Sequence, residues 1–219
     1  MSDGSMPTRS SSIDEWAQAI ARPRIAPAGG SAAALAGVTA AALVEMVAAL
    51  TVSREKYALV HEEAKAARAR AEGLRQELLI LASADAGSLE RFEQALALPR
   101  GSDAERELRE RRKRSALREG AEIQRDVLAA CAELAALGLA MVERGLQSAR
   151  GDAGTSVFLA AGAARSAYGA VRASLEGEPA GSELEGIAAG AAAKLREVEE
   201  VERLAGRLLD DPPEQVRPR

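Results

Sequence analysis

The run from Ala32 to Leu50, AAALAGVTAAALVEMVAAL, carries only Thr39 and Glu45 as clearly polar residues. A segment so apolar and so poor in large side chains must be covered, either by lipid or by other parts of the chain. It approaches the roughly 20 residues of a membrane span. Alanine gains little from lipid, however, and a carboxylate in mid-span costs on the order of 2.5–3.5 kcal/mol there. The sequence therefore predicts a helix buried by protein on nearly all sides, with no membrane as partner. Apolar residues make up 47% of the chain but aromatic residues only 2%, so Ala, Leu and Val must fill the core, and Ala and Leu favour helix. Apolar spacings of three and four recur throughout, and no sustained alternation of β-branched or aromatic residues marks a strand. The expected fold class is all-α, a bundle of about six helices around a central Ala/Gly-rich buried pair.

The punctuation divides the chain accordingly. Residues 1–11 read as a disordered leader without the basic-then-apolar pattern of a signal peptide, residues 12–209 as one helical-bundle domain, and residues 210–219 as a flexible tail. Helix one is expected from Ser12 to Ala21, capped by Ser11 or Ser12 and stopped by Pro23. Helix two is expected from Ser31, as its cap, to about Ser53. Helix three runs towards Leu98, relaxed near Gly73 or Gly87 and ended by Pro99. Ser102 and Glu105 form a capping box for a fourth helix to about Ser148, with a bend at Gly120 or Gly138. "ARGDAG" then interrupts, and helix five is expected from Asp152 to Leu175. "GEPAGS" reads as a turn, and Ser182 with Glu185 repeats the box for helix six, ending near Leu209. Helices two and five carry Ala, Gly and Ser where core helices usually carry Leu, which marks them as the central pair.

Several functions are excluded early. The formal net charge of -4 gives no basic field for a polyanion, so nucleic acid is not an expected partner. The single cysteine, Cys131, lies in an apolar helical pattern and the single histidine is His61, which rules out a disulfide within the chain and multi-histidine zinc chemistry. This cysteine usage predicts a cytoplasmic protein, and no metal site is expected. The cluster RERRKR at residues 109–114 is interleaved with Glu105, Glu107, Glu110 and Glu119, so it reads as a solvated helix face, with an anion-binding surface as the alternative.

Chemistry is concentrated where loops meet helices. At Pro27-Ala28-Gly29-Gly30-Ser31 the glycines strip side chains from a helix mouth whose first N–H groups lack internal partners. A carboxylate or polarised carbonyl could sit there, or the segment could be only a tight turn capped by Ser31. Asp152 reads either as a helix cap or as a general acid or base at a partly dry helix end. Arg54, Lys56 and Tyr57 follow helix two, where long cations either orient an anionic substrate or simply complement the helix dipole.

Taken together, "PAGGSAAALAGVTAAALVEMVAALTVSREKY", "LALPRGSDAERELR" and "ERGLQSARGDAGTSVFLAAGAARSAYGAVRASL" resemble, in order, the cyclodeaminase/cyclohydrolase family. This is the family of the C-terminal domain of formiminotransferase-cyclodeaminase and of stand-alone methenyltetrahydrofolate cyclohydrolases. The resemblance spans about Ile13 to Leu209. It implies a helical homodimer with a small-molecule substrate, a tetrahydrofolate derivative carrying a one-carbon unit, and no tightly bound cofactor. The reaction would be cyclodeamination of the 5-formimino form or hydrolysis of the 5,10-methenyl form. Mapped residue by residue, the resemblance implies catalytic roles for Asp152, in proton transfer, and Lys56, which orients or neutralises the substrate. It implies substrate-binding roles for Pro27, Gly29, Gly30, Ser31, Tyr57, Asp85 and Gly154. The chain departs from the family at Ala28, Glu55 and Gly151, and Ala49, Leu146, Ser148, Ala170 and Ser174 stand where asparagines are common. Each of those five changes removes an amide able to donate and accept at once. Two further readings follow from the departures: a diverged enzyme acting on another cyclic or imine-containing molecule, and a non-catalytic helical binding or scaffold protein.

Overall fold

The computed structural model of the chain describes residues 6–175 and 182–210. Residues 1–5 of the expected leader, most of the expected GEPAGS turn and residues 211–219 of the expected tail lie outside the described residues. Six α-helices follow in order: α1 (Ile13–Ile20), α2 (Gly29–Val52), α3 (His61–Leu96), α4 (Asp103–Arg144), α5 (Arg150–Ala173) and α6 (Glu183–Asp210). Short 3-10 turns, Glu55–Val60 and Gln147–Ala149, precede α3 and α5. No strand occurs among the described residues, and the architecture is an all-α bundle.

Two of the helix starts follow local chemistry. Ser12 and Glu15 form a reciprocal capping box at α1, as do Ser102 and Glu105 at α4. At α6 the Glu185 N–H donates to Ser182 Oγ at 3.4 Å. The long helices differ from expectation in being continuous: α3 passes Gly73 and Gly87, and α4 passes Gly120 and Gly138, without a break. A glycine costs a helix only about 1 kcal/mol, and packing along the length of α3 and α4 supplies more than that.

Helix α2 lies against α3, α4 and α5, and α5 against α2, α4 and α6, so the expected central pair is in place; α2 is not covered on nearly all sides as expected, however, because Thr39, Ala42, Met46 and Leu50 are exposed. The core contains Trp16 with Val44, Leu74, Leu78, Val127, Leu128 and Leu134 among many alanines. Close approach depends on individual small residues. A Cβ at Gly138 would stand 2.4 Å from Ser156 Oγ and 2.9 Å from Val157 Cγ2, so α4 and α5 meet there only because a side chain is missing. Glu45, the one carboxylate in the apolar run, receives Arg75 in a two-point pair, 2.6 and 3.3 Å, from α3. Helix α2 is long and apolar enough to span a membrane by length and composition, yet it holds this ion pair and a packed core instead.

The α4–α5 connection departs most from expectation. The break falls at Gly145 and Leu146, and α5 begins at Arg150, two residues before the expected start at Asp152. Arg150 is buried; its Nε donates to Val142 O at 3.1 Å and its Nη2 to Leu208 O at 2.6 Å. One guanidinium therefore satisfies carbonyls near the ends of both α4 and α6, where the helix dipoles favour positive charge. This bond pattern extends helix five backwards and leaves Asp152 inside its first turn rather than at its cap.

Burial pushes the Cys131 thiol up to about 12, and the side chain is fully enclosed. The arginine cluster makes ion pairs along its own helix, Arg111 with Glu107 and Lys113 with Glu110, in keeping with a solvated face.

Gly138→Ala is expected to lower stability by about 1–3 kcal/mol, whereas Gly190→Ala, whose added Cβ meets nothing within 4 Å, should raise it by roughly 0.5–1 kcal/mol. Urea unfolding followed by Trp16 fluorescence measures both; equal effects of the two substitutions would contradict the close α4–α5 contact.

Candidate active site

The amino end of α2 supplies no cap of its own. Its N-cap position is Ala28, and no side chain there bonds the first turn, so the N–H groups of Gly29 and Gly30 have no helical partner. Ser31, expected as the cap, is the third residue inside the helix and is fully buried. Its Oγ lies 2.8 Å from Asp85 Oδ2 and 3.1 Å from Ala82 O on α3, and its backbone N–H also donates to the Asp85 carboxyl. The cap is thus delivered from a neighbouring helix. Pro27, in the turn before Gly29, is buried.

Asp85 is 4% exposed. Besides the two donors of Ser31, it accepts from Gln124 Nε2 on α4 at 2.7 Å. Burial pushes the Asp85 carboxyl above its ordinary value, and the hydrogen bonds from Ser31 and Gln124 oppose that rise. Gly30 is what allows this network to sit on bare backbone, since a Cβ there would fall 2.3 Å from both Asp85 Oδ1 and Gln124 Nε2.

The network lines a cavity of about 740 Å³ bounded by α2, α3, α4 and α5. Gly29, Gly30, Asp85 and Gln124 contribute to its wall, together with Ser88, Phe92, Phe158, Ser166 and Ser174 and a lining of alanines. A volume of that order, with apolar walls and a few polar groups, suits a small organic ligand.

Of the residues expected to form one site, the structure gathers Gly29, Gly30 and Asp85 on the cavity wall, with Ser31 directly behind. Pro27 lies in the turn beside them, and Lys56, Tyr57, Asp152 and Gly154 are placed elsewhere. Lys56 is exposed in the 3-10 turn beyond the carboxyl end of α2. Tyr57 Oη accepts from Gln147 N at 3.1 Å. Asp152 is exposed in the first turn of α5. Gly154 faces α6, where a Cβ would meet Leu209 at 2.4 Å. Helix α2, 24 residues long, separates the two groups by about 35 Å at 1.5 Å per residue. The convergence expected of the glycine turn, Lys56 and Asp152 is therefore not met within one protomer. Among the five positions without asparagine, Ala170 and Ser174 line the cavity, while Leu146 and Ser148 flank the contact at Tyr57.

Gln124 was not foreseen from sequence. Its signal is a polar residue in the buried register of α4, between Ala121 and Leu128, both enclosed; a lone amide in such a register needs a partner. Phe92 and Phe158, two of the few aromatic residues of the chain, were likewise missed.

The profile of the formiminotransferase-cyclodeaminase family matches residues 12–177 of this chain. The methenyltetrahydrofolate cyclohydrolase of Methylorubrum extorquens is 30% identical over 155 residues, which cover 71% of this chain and 74% of that protein. The fold matches the crystal structure of formiminotetrahydrofolate cyclodeaminase from Thermotoga maritima with a TM-score of 0.81, at 22% identity, over 92% of this chain and 96% of that one.

Two substitutions probe the network. Gly30→Ala should displace Asp85 and Gln124 and lower stability by about 1–3 kcal/mol, while Gly29→Ala, which meets nothing within 4 Å, should be tolerated. The raised Asp85 value has a definite sign in stability. The unfolded chain gives up the Asp85 proton first, so this residue's contribution falls as pH rises from the ordinary 3.8 through the raised folded value. Asp85→Asn should abolish that component, so that the wild type's urea midpoint falls relative to the variant's as pH is raised above the ordinary carboxylate value.

Proposed function

The chain belongs to the formiminotransferase-cyclodeaminase family, and we propose that it is a cytoplasmic enzyme of folate one-carbon chemistry whose substrate occupies the cavity at the amino end of α2. The observation that carries this reading is the coincidence, in one apolar cavity, of the uncapped Gly29-Gly30 backbone and the buried Asp85 carboxyl. The reactions considered are hydrolysis of 5,10-methenyltetrahydrofolate and cyclodeamination of 5-formiminotetrahydrofolate. In the first, water adds to the carbon between the two nitrogens, one carbon–nitrogen bond breaks, and 10-formyltetrahydrofolate and a proton are released. In the second, the neighbouring ring-closing nitrogen adds to the formimino carbon and ammonia leaves. Both pass through a tetrahedral carbon, so both need a held substrate and a route for a proton.

In this reading the N–H groups of Gly29 and Gly30 hold an oxygen of the substrate, favoured by the positive end of the helix dipole. The side chains at the far end of α2 enter from a second copy. Thr39, Ala42, Met46 and Leu50 follow one another three or four residues apart and are all exposed, an apolar stripe along α2 that a homodimer would cover. A two-fold axis near the middle of that stripe, with the two α2 helices antiparallel, brings one protomer's Lys56 and Asp152 to its partner's Gly30. Lys56 then neutralises or orients the substrate and Asp152 moves the proton.

The direct test follows loss of the methenyl chromophore on adding the protein, and ammonia release from the formimino compound. Turnover of either supports the reading; turnover of neither, with no folate bound at high concentration, removes it. Asp152→Asn should lower kcat by about 10²–10⁴-fold. Mixing inactive Asp152→Asn with inactive Gly30→Ala chains should restore roughly a quarter of wild-type activity through mixed dimers that keep one intact site. Failure to restore activity in demonstrably mixed dimers would rule out a site shared between one protomer's Gly30 and its partner's Asp152.

A further inference from the structure

Resting on the reading of the cavity as a folate site, we propose that Gln124 is the residue that reads the substrate's ring, and that it does so as half of a receptor for a lactam edge. Gln124 is 2% exposed, yet its Oε1 has no hydrogen-bond partner. Buried acceptors without a donor are rare in folded proteins, and each calls for an explanation. Among the described residues this is the one unpartnered buried side-chain acceptor, and the residue that carries it lines the cavity.

The orientation of the amide is fixed by its neighbour. Nε2 donates to Asp85 Oδ1 at 2.7 Å, so the group left over is an acceptor. Ser31 N–H, Ser31 Oγ and Gln124 Nε2 already take up most of the acceptor capacity of Asp85, whereas Gln124 Oε1 has all of its own unused. Beside this acceptor stand the unpartnered donors of Gly29 and Gly30. Gly30 packs directly against the amide group, since a Cβ there would fall 2.3 Å from Gln124 Nε2, and Gly29 and Gly30 share the cavity wall with it. An acceptor next to donors is complementary to a ligand edge with an N–H next to a C=O, which is a cyclic amide. The pterin ring presents such an edge at N3–H and C4=O. Gln124 is also the sole amide side chain on the cavity wall among the described residues, at a site where Ala170 and Ser174 offer none. The aminobenzoyl-glutamate arm is then left to extend away from the α2 terminus. Asp85 acts as the positioning residue that keeps the glutamine the right way round.

The test compares folic acid, its 4-amino analogue, in which N3 becomes an acceptor and the C4 substituent a donor, and p-aminobenzoylglutamate, which lacks the ring. Binding is measured by calorimetry on the wild type, Gln124→Met and Gln124→Glu, each checked for an unchanged thermal transition. The wild type is expected to prefer folic acid over the 4-amino analogue by about tenfold or more. Gln124→Met should lose that preference, and Gln124→Glu, which keeps an acceptor, should regain part of it. With the methenyl substrate, Gln124→Met should raise KM by about tenfold while kcat changes little. The proposal is overturned if the wild type does not discriminate between the two ring compounds, or if Gln124→Met discriminates as well as the wild type. Should Gln124→Met fail to fold, the same preference in Gln124→Glu decides: its loss there overturns the proposal. Wild-type turnover of the folate substrates is scored separately. Ring discrimination without turnover would sink the enzymatic reading and leave Gln124 as a lactam receptor, while turnover without discrimination would do the reverse.

Discussion

The contact on which the site depends is the one between Asp85 and the first turn of α2. A helix made almost wholly of alanine and its apolar neighbours has nothing of its own with which to satisfy its leading N–H groups. Asp85 provides part of that satisfaction from α3, through Ser31, and is in turn held by Gln124 from α4. Three helices are therefore locked at one point by a single carboxyl, and the same point is the floor of the cavity. Because Gly30 carries no side chain, the lock closes directly against backbone and leaves the two preceding N–H groups free. Stability and ligand recognition draw on the same few atoms, so the terminus cannot be improved as a helix start, by a serine cap or a bulkier first turn, without filling the seat.

Small side chains serve two ends in this bundle. In the middle they let backbones approach, as at Gly138 against Ser156. At the amino end of α2 they leave an open volume whose wall is lined by Ala32, Ala33, Ala36, Ala163 and Ala170. A core of leucines would pack the middle at greater separation and would fill the end. The few aromatic residues divide the same way: Trp16 is enclosed in the core, whereas Phe92 and Phe158 stand at the cavity, where they would offer contact area to the flat ring of the proposed substrate.

The fold was legible in the sequence wherever its cause is local. Helical periodicity and the Ser12/Glu15 and Ser102/Glu105 boxes depend on residues within one turn of each other, and they place the helices closely. What escaped was capping between distant segments. Ser31 looked like a cap because Ser often is one, but its cap acceptor role is taken by Asp85, fifty-four residues away. Arg150 looked like part of a break, and its bonds to Val142 and Leu208 instead carry α5 two residues further back. Of the site, the glycine turn and Asp85 were legible through family resemblance. Gln124 was not, because its one signal, an amide in the apolar register between Ala121 and Leu128, says that a partner is needed but not that the partner is Asp85, thirty-nine residues away. The separation of Lys56 and Asp152 from the glycine turn was implicit in the length of α2, and resemblance to a motif carries no distance.

That length links the two halves of the proposed mechanism. A helix of 24 residues buried on all sides by its own chain would hold its two ends irrevocably apart. This one keeps a stripe from Thr39 to Leu50 exposed, while its only charged residue, Glu45, is paired with Arg75 of α3. The stripe is thus free of net charge, as a self-complementary interface between two copies of one chain requires, since like charges facing each other across a two-fold axis would repel. An antiparallel pairing along such a stripe converts the separation of the two ends into their juxtaposition, twice per dimer. In the proposed dimer, the ion pair at Glu45 is what would allow an apolar helix to serve both as the core of one protomer and as the seam between two.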